Sequence, residues 1–358
     1  MALGLDKQLV NQIHNSSLLP QTCPQAPFVR ASGLKPFIDF LESVGAPVDG
    51  LLQRARLPAD LLGESETPLP MAACYRFVEL AARSEGISDL GVVVAQRGST
   101  FDLGAFGAAL ARSSTVREYL HTGIRMIGTQ NGQVRFWLTP EHDELRVHQS
   151  LVGPPGLGRS VADVHTLMST IGMLQRFIGA GWQPGEVALA AGAEQQLLQG
   201  AVFGDASIVT GQDHSSFTMS QSLLNAPLPY SRSLQPSENQ AAGGQPVAID
   251  FVSGINALIA SLVLDGRPGI SNAAEAMGLN PRTLQRRLGD AGVTFSELVV
   301  ACRYRLASEW LRKSDVPVTE IAHSLGYTDG SNFARAFRRQ AGMPPAAYRA
   351  RYASLKAT

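Results

Sequence analysis

The sequence predicts two domains of different class: an α+β N-terminal domain, and an all-α C-terminal domain with two helix-turn-helix units joined by a long linker helix. Three observations carry this. The hydrophobic period changes from helical to alternating and back within the first 230 residues. A polar stretch at 225–246, "NAPLPYSRSLQPSENQAAGGQP", is too poor in apolar side chains to join a core. Beyond it one plan occurs twice, about 48 residues apart: a short helix, a Gly-containing turn, then an Arg-rich helix.

In chain order, residues 1–29 are polar, carry several prolines and read as a tail. From Gly33 to about Gly128 apolar residues recur at three and four, as in "FIDFLESVG", "MAACYRFVELAARSEG" and "TVREYLHTGIRMIG", so this span is helical. "QVRFWLT" and "DELRVHQSL" alternate instead. Val134, Phe136 and Leu138 share one face, Leu145, Val147 and Gln149 the partner's, and "PEHD" joins them as a β-hairpin. A long helix is expected from roughly Val161 to Ile178, and strands at "GEVALA", "ASIVTG" and "SSFTMS". The domains are therefore placed at 30–229 and 248–358, with 230–247 as linker.

The second domain opens with "IDFVSGINALIASLVLDG", whose Val252, Ile255, Ile259 and Leu262 mark one helix face. In "SNAAEAMGLNPRTLQRRLGDAG", Asn280 is placed as N-cap and Pro281 as the first helical residue. "VTEIAHSLGYTDGSNFARAFRRQAG" repeats the plan, with Ala274 and Ala322 small enough for close helix crossing. Between the copies, Thr294 and Glu297 have capping-box spacing and open a helix whose Phe295, Leu298, Val299, Cys302, Leu306 and Trp310 face inward. About 19 residues at ~1.5 Å each give a strut of roughly 29 Å, near the ~34 Å between successive major-groove faces on one side of B-DNA. In the second Arg-rich helix Phe333 and Phe337 anchor one side, while Ser331, Asn332, Arg335, Arg338 and Arg339 occupy the other.

Charge supports a nucleic-acid partner for this half. The chain has 30 basic and 30 acidic residues, yet residues 1–255 sum to −6 and residues 256–358 to +6. Cys23, Cys74 and Cys302 are odd in number and widely spaced, which argues against a disulfide framework or zinc site and for a reducing compartment. The first 20 residues lack a signal peptide's basic start and apolar core, and no apolar run nears 18 residues, so the expectation is a cytoplasmic protein without a membrane span.

Residues 256–353 resemble the DNA-binding domain of the AraC/XylS family of bacterial transcription regulators. The resemblance rests on Ile321, Ala322, Leu325, Gly326, Tyr327, Phe333, Arg335, Ala336, Phe337, Gly342, Pro345 and Tyr348. Gly330 departs from it, standing where many members carry Gln or another polar residue, which opens the register of the second unit's first contacts. The resemblance implies base-reading roles for Arg282, Gln285 and Arg286 in one unit and for Ser331, Asn332 and Arg335 in the other. Arg, Gln and Asn are the side chains that pair bidentately with guanine or adenine edges. Arg287, Arg338, Arg339 and Arg349 are assigned to phosphate, Arg287 having Asp290 as an alternative ion-pair partner. Residues 33–229 resemble the arabinose-binding-like regulatory domain of the ornithine-utilisation-regulator type, best in "FGDASIVTGQDHSSFTMSQSLLNAPLP". This implies a sensing and dimerisation domain, a small-molecule effector, double-stranded DNA and RNA polymerase as partners, activation, and no cofactor.

One motif offers an alternative. "GPPGLGRS" at 153–160 fits a phosphate loop except for Arg159 in the Lys position, so a nucleotide-using enzyme domain fused to a DNA anchor is the competing reading. Pro154 and Pro155 remove two of the N–H donors such a loop needs, and Arg is no replacement for its Lys. What survives is an anionic effector held by Arg159 and Ser160 at a helix N-terminus. His121, His148, His165 and His214 show no metal-ligand spacing, and no nucleophile–base–orienter set emerges.

Overall fold

A computed structural model describes residues 27–57, 65–98, 100–153, 155–193, 203–227 and 249–354. The chain divides into two compact units, 1–250 and 251–358. The linker expected at 230–247 lies outside the described residues.

The first unit begins earlier than the sequence suggested. Residues Phe28–Arg30 form strand β1, antiparallel to β2 (Pro68–Pro70), with Phe28 opposite Pro70 and wholly buried. Arg30 fastens the strand: its Nε donates to the Thr129 carbonyl at 2.6 Å and it pairs with Glu66 at 3.1 Å. The expected tail therefore gives Phe28 and Val29 to the fold, because a buried phenylalanine outweighs the polar composition around it.

Helices α1 (Lys35–Ser43), α2 (Val48–Ala55), α3 (Met71–Ser84), α4 (Leu90–Arg97), α5 (Gly104–Leu110) and α6 (Val116–Gln130) follow, as the helical period indicated. Thr115 caps α6 by accepting the Glu118 N–H at 3.2 Å. Strands β3 (Val134–Glu141) and β4 (Glu144–Leu151) make the predicted hairpin. Phe136 lies opposite Gln149 and Leu138 opposite Val147, so the apolar faces coincide. The turn is shorter than "PEHD": Pro140 and Glu141 belong to β3, and only His142 and Asp143 connect.

Helix α7 (Leu157–Ile178) starts about one turn before the expected Val161. The extra turn packs against α3, and a Cβ on Gly158 would sit 2.0 Å from the Tyr75 carbonyl oxygen. Strands β5 (Glu186–Ala190), β6 (Ser207–Gln212) and β7 (Ser215–Ser220) fall on the three predicted segments. The sheet order is β3-β4-β7-β5-β6, antiparallel except for the β5–β6 pair. Side chains from α5, α6 and α7 bury one face of this sheet around Val147, Leu189 and Phe217.

The second unit is helical. It contains α8 (Phe251–Leu264), α9 (Ile270–Ala276), α10 (Pro281–Asp290), α11 (Phe295–Lys313), α12 (Val318–Ser324), α13 (Gly330–Ala341) and α14 (Pro345–Ser354). α11 is the 19-residue strut, opened by the full Thr294–Glu297 capping box. It buries Leu298, Val299, Cys302 and Leu306, with Leu311 buried in place of the half-buried Trp310.

Candidate nucleic-acid interface

Two helices present the unit's arginines, and their caps show why they start where they do. In α10 the Asn280 side chain accepts the Thr283 N–H at 2.8 Å, and Pro281 fills the first helical position, where its missing N–H costs nothing. Leu284 and Leu288, one turn apart, are buried. The opposite face carries Arg282, Gln285 and Arg286, all exposed, with Arg287 half-buried at its edge. Among the described residues no ion pair joins Arg287 to Asp290.

In α13 the N-cap is Asp329, whose carboxylate accepts the Asn332 N–H at 2.7 Å, and Gly342 ends the helix in the left-handed region. Phe333 and Phe337 are 1% and 2% exposed. Phe337 touches the rings of Tyr304 at 5.3 Å, Phe333 at 5.8 Å and Tyr348 edge-on at 5.2 Å, so α11, α13 and α14 share one aromatic core. Ser331, Asn332, Arg335, Arg338 and Arg339 lie exposed on the other face. Asp329, Asn332 and Arg335 form a chain of hydrogen bonds: Asn332 Nδ2 donates to Asp329, and Arg335 donates to Asn332 Oδ1 at 2.5 Å. Asp329 was missing from the residues the sequence singled out, although an acidic residue directly before the helix is the signal for it.

The turn resolves the register opened by Gly330. α9 and α12 are offset by 48 residues, but the caps Asn280 and Asp329 are offset by 49, because the second turn is one residue longer. Gly330 is thus the counterpart of Pro281, a first-turn backbone position. Ser331 matches Arg282 and Arg335 matches Arg286, whereas Gln285 is matched by Ala334 and Asn332 by Thr283. Arg303 braces the longer turn, its guanidinium 4.8 Å from the Tyr327 ring centre.

Arg349 sits differently from the other basic residues. It is half-buried and donates to the Val316 carbonyl, tying α14 to the segment before α12. Its guanidinium serves this contact in the free protein.

In the first unit, the residues resembling a phosphate loop have packing explanations. Gly158 makes room for the Tyr75 carbonyl, and a Cβ on Gly153 would lie 2.8 Å from the Tyr75 ring. Arg159 donates to the Gly153 carbonyl at 3.2 Å. Arg159 and Ser160 line a recess of only about 20 Å³, shared with Asp163 and Asp213, which is room for about one water. Burial raises the Asp163 pKa, and its carboxylate accepts from Ser215 Oγ and from Gln149 Nε2 at 2.8 Å, joining α7 to the sheet. The fold also unites two histidines that sequence spacing left apart: His148 Nδ1 lies 2.9 Å from His214 Nε2, and both rings pack on Trp137. Among the described residues no group of three or more His, Cys, Asp or Glu side chains forms a metal site.

Comparison with known proteins agrees with both halves. Residues 273–351 match a family described as a helix-turn-helix domain, and residues 45–228 match the arabinose-binding N-terminal domain of AraC transcription regulators. The ornithine utilization regulator of Pseudomonas aeruginosa is 27% identical over 323 residues, 87% of this chain and 93% of that protein. The HTH-type transcriptional regulator VirS of Mycobacterium tuberculosis is 23% identical over 332 residues, 90% of this chain and 96% of its own. The crystal structure of the transcriptional regulator CdpR from Pseudomonas aeruginosa aligns over 85% of this chain and 96% of its own, at 23% identity and a TM-score of 0.38. No helix among the described residues is long and apolar enough to cross a membrane. With an arabinose-binding-type domain over half its length and tandem helix-turn-helix units behind it, the chain belongs to the AraC family of transcription regulators.

Proposed function

We propose that the chain is a sequence-specific, effector-responsive transcription activator that works as a homodimer in the cytoplasm, with RNA polymerase as partner and no catalytic activity of its own. The observation that carries the reading is the pair of exposed arginine faces on α10 and α13, each anchored by buried apolar residues and separated by one 19-residue helix. Arg282, Gln285, Arg286, Ser331, Asn332 and Arg335 read bases. Arg287, Arg338 and Arg339 hold phosphates, and Arg349 joins them if its contact with Val316 is exchanged on binding. The regulators among its relatives support the absence of an enzyme role, as do the packing roles of Gly153 and Gly158.

Binding of the full chain to duplex DNA recovered by genomic footprinting tests this. Each phosphate neutralised releases counterions, so log K falls with log salt at roughly −0.9 per contact. A folded chain without salt-sensitive binding to that DNA refutes the reading. Sedimentation showing a monomer at micromolar concentration, with and without DNA, refutes the dimer.

A further inference from the structure

The first unit holds a cavity of about 150 Å³ between α1, α3, α6, α7 and the β3–β4 hairpin. Its wall is mainly apolar, with Phe37, Leu103, Phe106, Ile124, Ile127 and Val147 among the lining side chains. Among the described residues that line it there is no Lys, Arg, Asp or Glu. An apolar recess of about this size has room for a benzene-sized molecule.

Most polar side chains on the wall already have partners. Gln130 bonds Ser32 at 3.2 Å, Asn131 Oδ1 accepts the Gln133 N–H at 2.9 Å, and the Tyr119 and Thr100 hydroxyls meet at 3.2 Å. Thr166 donates to the Ala162 carbonyl at 2.8 Å and Thr170 to the Thr166 carbonyl at 3.0 Å. His165 and Ser169 remain. They stand four residues apart on α7, both line the cavity, and neither hydrogen-bonds a described residue. The His165 ring packs on Phe37 at 4.6 Å between centres.

We propose that this cavity is the effector site, and that the effector is an uncharged, compact, mostly apolar molecule whose single hydrogen-bonding group meets His165 and Ser169. The proposal rests on the reading of the chain as an effector-responsive regulator and supplies the effector's chemistry. A buried charge needs a counter-charge, and this wall has no Lys or Arg among its described residues, so a carboxylate or an amino acid is disfavoured. A pentose would bring several hydroxyls to a wall where two polar side chains stand unpaired and only the Asn131 amide and the Thr100–Tyr119 pair have a donor to spare, too few for all of them. One hydroxyl or carbonyl can be satisfied. Burial pushes the His165 pKa down to about 4, so the ring is neutral near pH 7 and offers one donor and one acceptor. The site is also distinct from the recess at Arg159 and Ser160, whose two carboxylates and volume of about 20 Å³ do not suit an anion.

Isothermal titration of the full chain with cyclohexanol, cyclohexanecarboxylate and L-arabinose tests this. Cyclohexanol is expected to bind saturably with a Kd below about 1 mM, within the affinity that so few heavy atoms permit. The carboxylate, of the same shape but charged, and the sugar are expected to show at least ~10-fold weaker binding. Gly123 lies on α6 at the cavity wall, and a Cβ there would meet only Leu110 Cδ2, at 3.8 Å. Gly123→Leu therefore fills the space without displacing backbone and should abolish cyclohexanol binding, while Arg159→Ala should leave it unchanged. Ser169→Leu is the second filling variant if the first does not fold. Equal binding of the carboxylate or the sugar overturns the proposal. So does cyclohexanol binding that survives cavity filling, or its absence in the wild type. DNA binding measured on the same preparation separates the two claims: its persistence without cyclohexanol binding sinks the cavity and leaves the regulator standing.

Discussion

Phe337 and Arg335 sit two residues apart on α13 and face opposite ways, so a matched pair of alanine substitutions separates folding from reading. Phe337 is 2% exposed and in contact with three aromatic rings drawn from α11, α13 and α14. Removing it leaves a cavity at the junction of three helices, a loss of about 3 to 5 kcal/mol. For a unit near 100 residues, each kcal/mol moves Tm by ~4–8 °C, so its transition should fall by roughly 12 to 40 °C. Arg335 is exposed, and its hydrogen bond to Asn332 is also exposed. Arg335→Ala should therefore shift Tm by less than about 4 °C, the range of surface substitutions. Its effect belongs on DNA: a loss of ~1–3 kcal/mol, about five- to 150-fold, concentrated at one base pair. The assay is calorimetric melting of both variants beside titration onto cognate and singly substituted operators. The assignment is refuted if Arg335→Ala weakens all sequences equally, or if Phe337→Ala leaves Tm in place.

Arg338→Ala should weaken cognate and random DNA alike and flatten the salt slope by about one unit, as read by titration across a salt series. Asp329→Ala removes the cap of α13 and should cost ~1 kcal/mol of stability in a denaturant titration, with a loss of DNA affinity because Asn332 loses its partner. The pKa of His165 is lowered by burial from 6.5 to about 4, so between these values the unfolded chain binds a proton that the native state refuses. The share of the first unit's stability that comes from His165 should drop as pH falls through that window, by up to about 2 kcal/mol from pH 6.5 to 5 at ~1.36 kcal/mol per unit, beside a share from His148, which burial also lowers to about 4. His165→Phe, which keeps the packing on Phe37, should reduce that slope and leave the share of His148 in melts across the same range.

What could be read without coordinates was local. Val134 to Leu138 and Leu145 to Gln149 alternate, and the hairpin forms with those faces matched. Thr294 and Glu297 stand three apart, and the capping box closes. Phe333 and Phe337 stand four apart on an Arg-rich helix, and they are the buried pair. What was missed depends on contacts between distant segments. Phe28 looks like part of a tail until Pro70 pairs with it. Gly158 looks like part of a phosphate loop until the Tyr75 carbonyl is seen to occupy the space of a Cβ. The cavity has no sequence signature, because its wall is gathered from residues between 29 and 170 whose apolar character is that of any core. His148 and His214 have no ligand spacing and meet because β4 and β7 are neighbours in the sheet.

The extra residue between α12 and α13 constrains anyone who would exchange specificity between the two units. A graft that moved side chains from one helix to the other by the 48-residue repeat of α9 and α12 would place each of them one position out of step. One position on a helix is about 100° of rotation. An arginine meant for a base edge would then point along the flank, and a leucine meant for the core would face water. Counted from the caps, with Asn280 equated to Asp329, the same graft keeps its faces. A chimera built on the second count should fold and read the transplanted half-site, and one built on the first should do neither.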